Sequence, residues 1–131
     1  MSTVATYELL PEVRAFLDDG PFAAFVGGQD YPAASGKTVA TIDPGSGDTL
    51  AEVHDLSAAE VDRAVDIANE AFPAWSALPA DERFGLLRKL ADAVEADKAI
   101  IGQIEALDAG KIQAQAQGDV QNLVDTLRRA S

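Results

Sequence analysis

Residues 57–111 read SAAEVDRAVDIANEAFPAWSALPADERFGLLRKLADAVEADKAIIGQIEALDAGK, and this stretch decides the fold. Its apolar residues recur every three or four positions, as they do on one face of an α-helix. Ser57 and Glu60 have the spacing of a capping box, in which each side chain accepts a hydrogen bond from a free backbone N–H at a helix start. Gly110 favours a helix end, because glycine readily takes the left-handed conformation found there.

The pattern predicts three helices within this stretch. Pro73 is expected to end or kink the first, since proline lacks the N–H that an interior helical position uses. Trp75 would then lie in a loop between two helices. A second helix is predicted to start near Pro79, and Asp97 separates it from a third. The predicted core stripe of the second helix consists of Leu86, Leu87, Leu90, Ala91 and Val94.

The sequence before Ser57 predicts two β-hairpins. Gly27 and Gly28 form a turn-capable pair between two short extended segments. Residues 43–48, DPGSGD, are dense in turn-forming residues. Residues 38–42 before them are rich in β-branched side chains, which favour strands.

The order of these elements predicts the fold class. The predicted strands all come before the main helices, whereas a parallel sheet needs strands and helices that alternate. We therefore predict a mostly α chain with an N-terminal antiparallel β-hairpin element. Residues 1–21 are predicted to hold a loose tail and a short helix that begins at Pro11, and a last helix is predicted to open at Gly118 and Asp119.

The composition excludes several classes of function. The chain of 131 residues carries a net charge of −12, which repels nucleic-acid phosphates and anionic membranes. It contains no cysteine, so disulfides and thiolate metal sites are excluded. It shows neither a signal peptide nor an apolar run that could span a bilayer. We expect a cytoplasmic protein that binds neither nucleic acid nor membrane.

Three blocks, residues 25–53, 61–95 and 104–128, carry short motifs in a fixed order. The motifs are Asp43-Pro44 with the turn to Gly47, AFPAW at 71–75, Arg83, and LDAGK at 107–111. In this order and spacing the chain resembles the N-terminal portion of the NAD(P)-dependent aldehyde dehydrogenase superfamily. The resemblance implies that residues 22–131 are the partial front segment of the family's α/β coenzyme-binding domain.

The resemblance also implies a reaction and partners. The intact enzyme would oxidise an aldehyde to a carboxylic acid and reduce NAD or NADP, through a thiohemiacetal, hydride transfer and thioester hydrolysis. Family members are homo-oligomers. The partner of this chain would therefore be the remainder of an aldehyde dehydrogenase or another subunit.

The family's catalytic cysteine, general-base glutamate, oxyanion-hole asparagine and glycine-rich coenzyme loop have no counterpart here. We therefore expect no catalytic and no cofactor-binding residue in this chain, and neither activity nor coenzyme binding by it alone. The alternative is a naturally truncated, non-catalytic relative that acts as an interaction or assembly partner. The reading frame beyond Ser131 would distinguish the two.

Asp108 is the candidate for a metal site. An acid near the C-terminal end of a helix is unfavourable against the helix dipole, and a carboxylate with carbonyl oxygens suits a hard cation. In some aldehyde dehydrogenases the matching aspartate holds a monovalent cation together with backbone carbonyls, which would belong here to Thr41 and Ile42. The alternative is that Asp108 caps the helix or turns the chain toward Gly110.

Overall fold

In the computed structural model, which describes residues 8–130, a short helix and two β-hairpins precede four longer helices. This arrangement confirms the predicted mostly α fold with an N-terminal antiparallel β-hairpin element. Residues 1–7, in which most of the loose tail was predicted, lie outside the described residues. In chain order the elements are α1 Pro11–Asp18, β1 Ala24–Val26, β2 Gln29–Tyr31, β3 Thr38–Ile42, β4 Thr49–His54, α2 Ala58–Ala77, α3 Ala80–Ala96, α4 Lys98–Ala109 and α5 Gln113–Arg129.

The two hairpins form separate two-stranded antiparallel sheets. Strands β1 and β2 turn through Gly27 and Gly28, whose φ angles of 62° and 83° suit a tight hairpin turn. Strand β4 also receives Phe22, which donates its N–H to the carbonyl of Glu52 at 2.8 Å. The ring of Phe22 stacks on Phe16 of α1, with ring centroids 4.5 Å apart. Phe22 thus joins the first helix to the second hairpin.

Helices α3, α4 and α5 pack around small side chains. Ala91, Ala106 and Ala116 are at most 5% exposed, one on each helix. A Cβ atom built on Gly102 of α4 would lie 3.0 Å from Cγ of Gln117 on α5. Such short distances show that the two helices approach closely because glycine stands at the contact.

The predicted stripe of α3 is buried only at one residue. Ala91 is fully buried, whereas Leu86 and Leu90 are 45% and 50% exposed. The apolar residues of α2 are also accessible, and none of that helix's residues is buried. Periodicity correctly indicated the helices, but the described residues include no element that covers these larger side chains.

Helix α2 does not end at Pro73. It continues to Ala77, so Trp75 lies in the last turn of a helix rather than in a loop as predicted. The end of α2 is held instead by Arg83 of α3, whose guanidinium donates to the carbonyls of Leu78 and Ser76. These bonds satisfy carbonyls that a helix end leaves without a partner.

Helix α5 begins five residues earlier than predicted, at Gln113 rather than near Gly118. Gly118 lies inside this helix with open space around it. Ala114 and Ala116 precede it and have the highest helix propensity of any residue, which outweighs the roughly 1 kcal/mol that an interior glycine costs. The glycine was therefore wrongly taken as a boundary.

No helix among residues 8–130 combines the length and the apolar character that crossing a bilayer requires. The helices carry much of the charge of the chain on their exposed faces. Arg128 of α5, for example, pairs with Asp92 and Glu95 of α3 at 2.9 Å and 2.7 Å. Exposed pairs of this kind contribute little each, so they support the helix packing without determining it.

Gln103 of α4 is a buried polar side chain that holds the start of α1. It is 2% exposed. Its Oε1 accepts the N–H of Leu10 at 2.8 Å, and its Nε2 donates to the carbonyl of Glu8 at 3.2 Å. One amide thereby satisfies the backbone of the segment leading into α1, and Val13 of that helix is completely buried.

We predict that Gln103→Leu loosens α1. The substitution leaves the backbone groups of Glu8 and Leu10 without their partner, which costs about 1–3 kcal/mol of unfolding free energy. Chemical denaturation measures this cost, and hydrogen exchange across residues 8–18 should accelerate. The control is Gln115→Leu, at an exposed position of α5. Unchanged exchange in residues 8–18 of the Gln103→Leu variant would contradict the role of the amide.

Candidate cation site and apolar groove

Three elements line one half-open cavity. Helix α1, the β3–β4 hairpin and α4 surround a space of about 410 Å³, here called the apolar groove. Nine of its lining residues are apolar, and three are polar. The apolar residues are Phe16, Leu17, Phe22, Leu50, Ala51, Val53, Ile101, Ile104 and Leu107, and the polar ones are Thr41, Glu105 and Asp108.

The turn between β3 and β4 is built by Asp43. Its Oδ1 accepts the N–H of Gly45 at 2.7 Å and its Oδ2 accepts the hydroxyl of Ser46 at 3.0 Å. The hydrogen bond from Gly45, followed by that from Ser46, lowers the pKa of Asp43 below its ordinary value. Because the pKa is lowered in the folded state, ionised Asp43 favours folding at neutral pH. That contribution is lost as the pH falls through the lowered pKa.

The same turn contacts the end of α4. Gly110 follows α4 in the left-handed conformation, with φ of 67°, as predicted for a helix end. A Cβ atom built on Gly110 would lie 2.8 Å from Cγ of Pro44, which is closer than real Cβ contacts. The absence of a side chain at Gly110 therefore lets the turn lie directly against the C-terminal end of α4.

The structure brings two of the three predicted cation ligands to one cavity. Thr41 and the exposed Asp108 both line the apolar groove, whereas Ile42 is not among the lining residues. Among residues 8–130, no donor is hydrogen-bonded to the carboxylate of Asp108. The side chain therefore makes no capping hydrogen bond within the described part of the chain.

A β-bulge in β4 interrupts the pairing of the two strands beside Thr41 and Ile42. Strand pairing changes register there, from Thr41 opposite Ala51 to Ile42 opposite Thr49. A bulge disrupts the ladder of backbone hydrogen bonds locally and frees backbone groups for other contacts. The extra residue is Leu50 of β4, so the irregular backbone lies opposite the two residues whose carbonyls were predicted to bind a cation.

The second carboxylate of the groove is already paired. Lys111 contacts Glu105 at 2.5 Å and Asp119 of α5 at 3.0 Å. The hydrogen bonds to Glu105 and then to Asp119 raise the pKa of Lys111. Asp108 is consequently the one carboxylate on the groove, among the described residues, that no cation of the chain neutralises.

No group of three or more histidine, cysteine, aspartate or glutamate side chains among residues 8–130 is arranged to hold a metal ion. A cation at Asp108 would therefore depend on backbone carbonyls. Such a site suits a weakly charged, hard ion that prefers oxygen ligands.

The aldehyde dehydrogenase family model matches residues 31–131. This chain belongs to the aldehyde dehydrogenase family. Its sequence is 38% identical over 109 residues to an aldehyde dehydrogenase of Aspergillus niger, which covers 82% of this chain and 22% of the relative. It is 33% identical over 129 residues to human retinal dehydrogenase 2, which covers 95% of this chain and 25% of the relative.

The fold of this family member matches the corresponding part of solved aldehyde dehydrogenases. The NAD+ complex of the enzyme from Bacillus cereus superposes with a TM-score of 0.86 at 36% identity, over 93% of this chain and 25% of the other. The NAD-dependent enzyme from Sinorhizobium meliloti gives 0.81 at 32% identity, over 92% and 24%. The chain thus spans about a quarter of the length of the relatives it matches, and its fold is that of a partial domain.

Two features of this aldehyde dehydrogenase segment were not predicted from the sequence. The apolar groove joins residues from three distant parts of the chain, so no local pattern indicates it. Gln103 gave a faint signal, because it is a polar residue within the apolar run of the third predicted helix, next to Ile104. Its buried state follows from the fold around it.

We predict that Gly110→Ala disturbs the contact between the turn and α4. A left-handed conformation costs a non-glycine residue about 1–2 kcal/mol, and the methyl group would also press on Pro44. Thermal denaturation should show a lower melting temperature. Gly85→Ala is the matched control, since Gly85 lies in α3 with nothing within 4 Å and alanine favours helices. Equal melting temperatures for the two variants would contradict the close contact.

Proposed function

We propose that this chain forms the front of the coenzyme-binding domain of an NAD(P)-dependent aldehyde dehydrogenase. In the intact enzyme the reaction would be the oxidation of an aldehyde to a carboxylic acid with reduction of NAD or NADP. The observation that carries the proposal is the match of nearly the whole chain, in sequence and in fold, to one quarter of enzymes of this family. Because the matched relatives are dehydrogenases about four times longer, they favour this role over that of a non-catalytic partner.

The role of the chain in that enzyme is structural. Its sequence holds no cysteine, so the covalent adduct on which the family's chemistry depends must form elsewhere. Residues 22–131 would support the coenzyme-binding domain, residues 1–21 would precede it, and the rest of the enzyme would supply catalysis and coenzyme binding. A cytoplasmic location and assembly into homo-oligomers complete the proposal.

We expect a chimeric enzyme to be active. The matching quarter of the Bacillus cereus enzyme is replaced by this chain, and NAD-dependent oxidation of aldehydes is measured by absorbance of the reduced coenzyme. A scaffold that keeps the domain intact should retain activity within about tenfold of the parent, a difference of about 1.4 kcal/mol in activation free energy.

Two controls accompany this measurement. The chain alone should give no reduced coenzyme, because it supplies no thiolate. The parent enzyme, prepared in parallel, should be fully active. A folded chimera without activity beside an active parent would contradict the proposed function.

A monovalent cation at Asp108 is part of the proposal. It is supported by the carboxylate that lacks a partner among residues 8–130, by the bulge of β4 opposite Thr41 and Ile42, and by the shared cavity of Thr41 and Asp108. Asp108 and Thr41 carry the proposed site, because both line the groove and Ile42 does not. A bound cation would neutralise Asp108 and join α4 to β3.

We predict that sodium or potassium ions raise the melting temperature of the chimera when they replace tetramethylammonium at constant ionic strength. A ligand at ten times its dissociation constant stabilises the folded state by about 1.4 kcal/mol. Asp108→Asn should abolish the increase. Asp62→Asn, at an exposed position of α2, is the control and should keep it. An equal response of the parent chimera and Asp108→Asn would refute the site.

A further inference from the structure

The apolar groove exposes side chains that the described residues do not cover. Phe16 at its edge is 46% exposed. Ile101, Ile104 and Leu107 on α4 are only partly buried, as is Leu50 on β4. Apolar surface that converges on one cavity, rather than lying singly on the outside, is typical of a contact site.

The charges of the groove restrict what can occupy it. Glu105 is neutralised by Lys111, and Asp108 is exposed and would bind the proposed cation. The remaining walls are apolar apart from Thr41, whose hydroxyl is directed to the carbonyl of Ala51 at 3.5 Å. A charged group placed among these walls would lose its hydration without gaining a partner. The complementary occupant is an uncharged apolar segment.

A second copy of this chain is a poor occupant. Each copy carries a net charge of −12, so two copies repel each other. The exposed apolar side chains of α2, such as Val65 and Phe72, share their helix with Asp62 and Asp66. Docking α2 of one copy into the groove of another would bring these acids toward Asp108.

The relatives indicate a different occupant for the groove. This chain spans about a quarter of their length, so three quarters of each relative has no counterpart in these residues. A segment of that remainder would be tethered to the groove and would not need to overcome the repulsion between two acidic copies. Tethering raises the effective concentration of an occupant without any new contact.

We propose that the apolar groove is the docking surface for an uncharged apolar segment from the remaining three quarters of the enzyme. The proposal rests on the proposed function, and it adds the surface through which this chain is joined to the rest. The front of the domain would contact its continuation at this groove, which α1, the β3–β4 hairpin and α4 line.

Thiol labelling tests the proposal at single positions. The chain has no cysteine, so Ile104→Cys places one reactive group in the groove. Ala99→Cys is the matched control, at an exposed position on the same helix that does not line the groove. Both variants are made in the isolated chain and in the chimera with the Bacillus cereus enzyme. Peptide mass spectrometry then gives the rate of maleimide labelling at each position.

The docked segment should slow labelling only at the position in the groove. We expect the thiol of Ile104→Cys to react about tenfold more slowly, or slower still, in the chimera than in the isolated chain, because a buried thiol reacts only when the contact opens. The thiol of Ala99→Cys should keep its rate within about twofold, since an exposed thiol needs no opening.

Activity separates this proposal from the proposed function. An active chimera with equal rates for Ile104→Cys in both proteins overturns the docking surface and leaves the proposed function standing. An inactive chimera contradicts the proposed function. If labelling of Ile104→Cys is still slowed in that inactive chimera while Ala99→Cys keeps its rate, the docking surface is supported. If the rates of Ile104→Cys are equal, the docking surface and the proposed function are both overturned.

Three further results would overturn the proposal, because each gives another reason for a protected groove. Protection that weakens on dilution of the chimera would indicate a second copy. Protection that disappears after exhaustive dialysis would indicate a small apolar molecule. An unreactive thiol of Ile104→Cys in the isolated chain would show that the groove closes on itself.

Discussion

The close approach of α5 to α4 at Gly102 is the constraint on which the rest of the described fold depends. Any side chain there would meet Gln117, whose Cγ lies 3.0 Å from the position of a Cβ atom. With α5 held on this side, α4 turns Gln103 toward the segment before α1 and directs Ile104 toward the hairpin. One helix thus organises the bundle on one side and the apolar groove on the other.

The core formed around α4 is made of small residues. All the buried apolar side chains among residues 8–130 belong to alanine or valine. The larger ones lie outside, and Phe25 and Phe72 are 75% and 62% exposed. Because burial of large apolar side chains dominates folding free energy, this distribution is typical of part of a larger domain. It agrees with the share of the relatives that the chain covers.

Local rules predicted the parts of the fold that short-range chemistry determines. The capping box at Ser57 and Glu60 forms as expected, and Glu60 also accepts the N–H of Ala34 at 2.7 Å. Gly110 closes its helix in the left-handed conformation. The capping box and the helix end depend on neighbours a few residues apart, so the sequence pattern predicts them, whereas the bond to Ala34 joins residues 26 positions apart.

The errors arose where one local signal outweighed another. Pro73 remains inside a helix whose end is held by Arg83, a residue of the following helix. For the candidate site, the sequence indicated Asp108 and Thr41 through family resemblance, and both lie on one cavity. The groove beside them could not be predicted, since its three walls meet only after the chain has folded.

The hydrogen bonds of Gln103 have a consequence for synthesis on the ribosome. They join residues 93 and 95 positions apart, so the start of α1 emerges long before the amide that holds it. At about 5–20 residues per second, the delay is roughly 5–20 s. During that interval Phe16 can already stack on Phe22, but the α4 side of α1 is still missing. The first helix of the chain therefore completes its contacts only after α4 has been made.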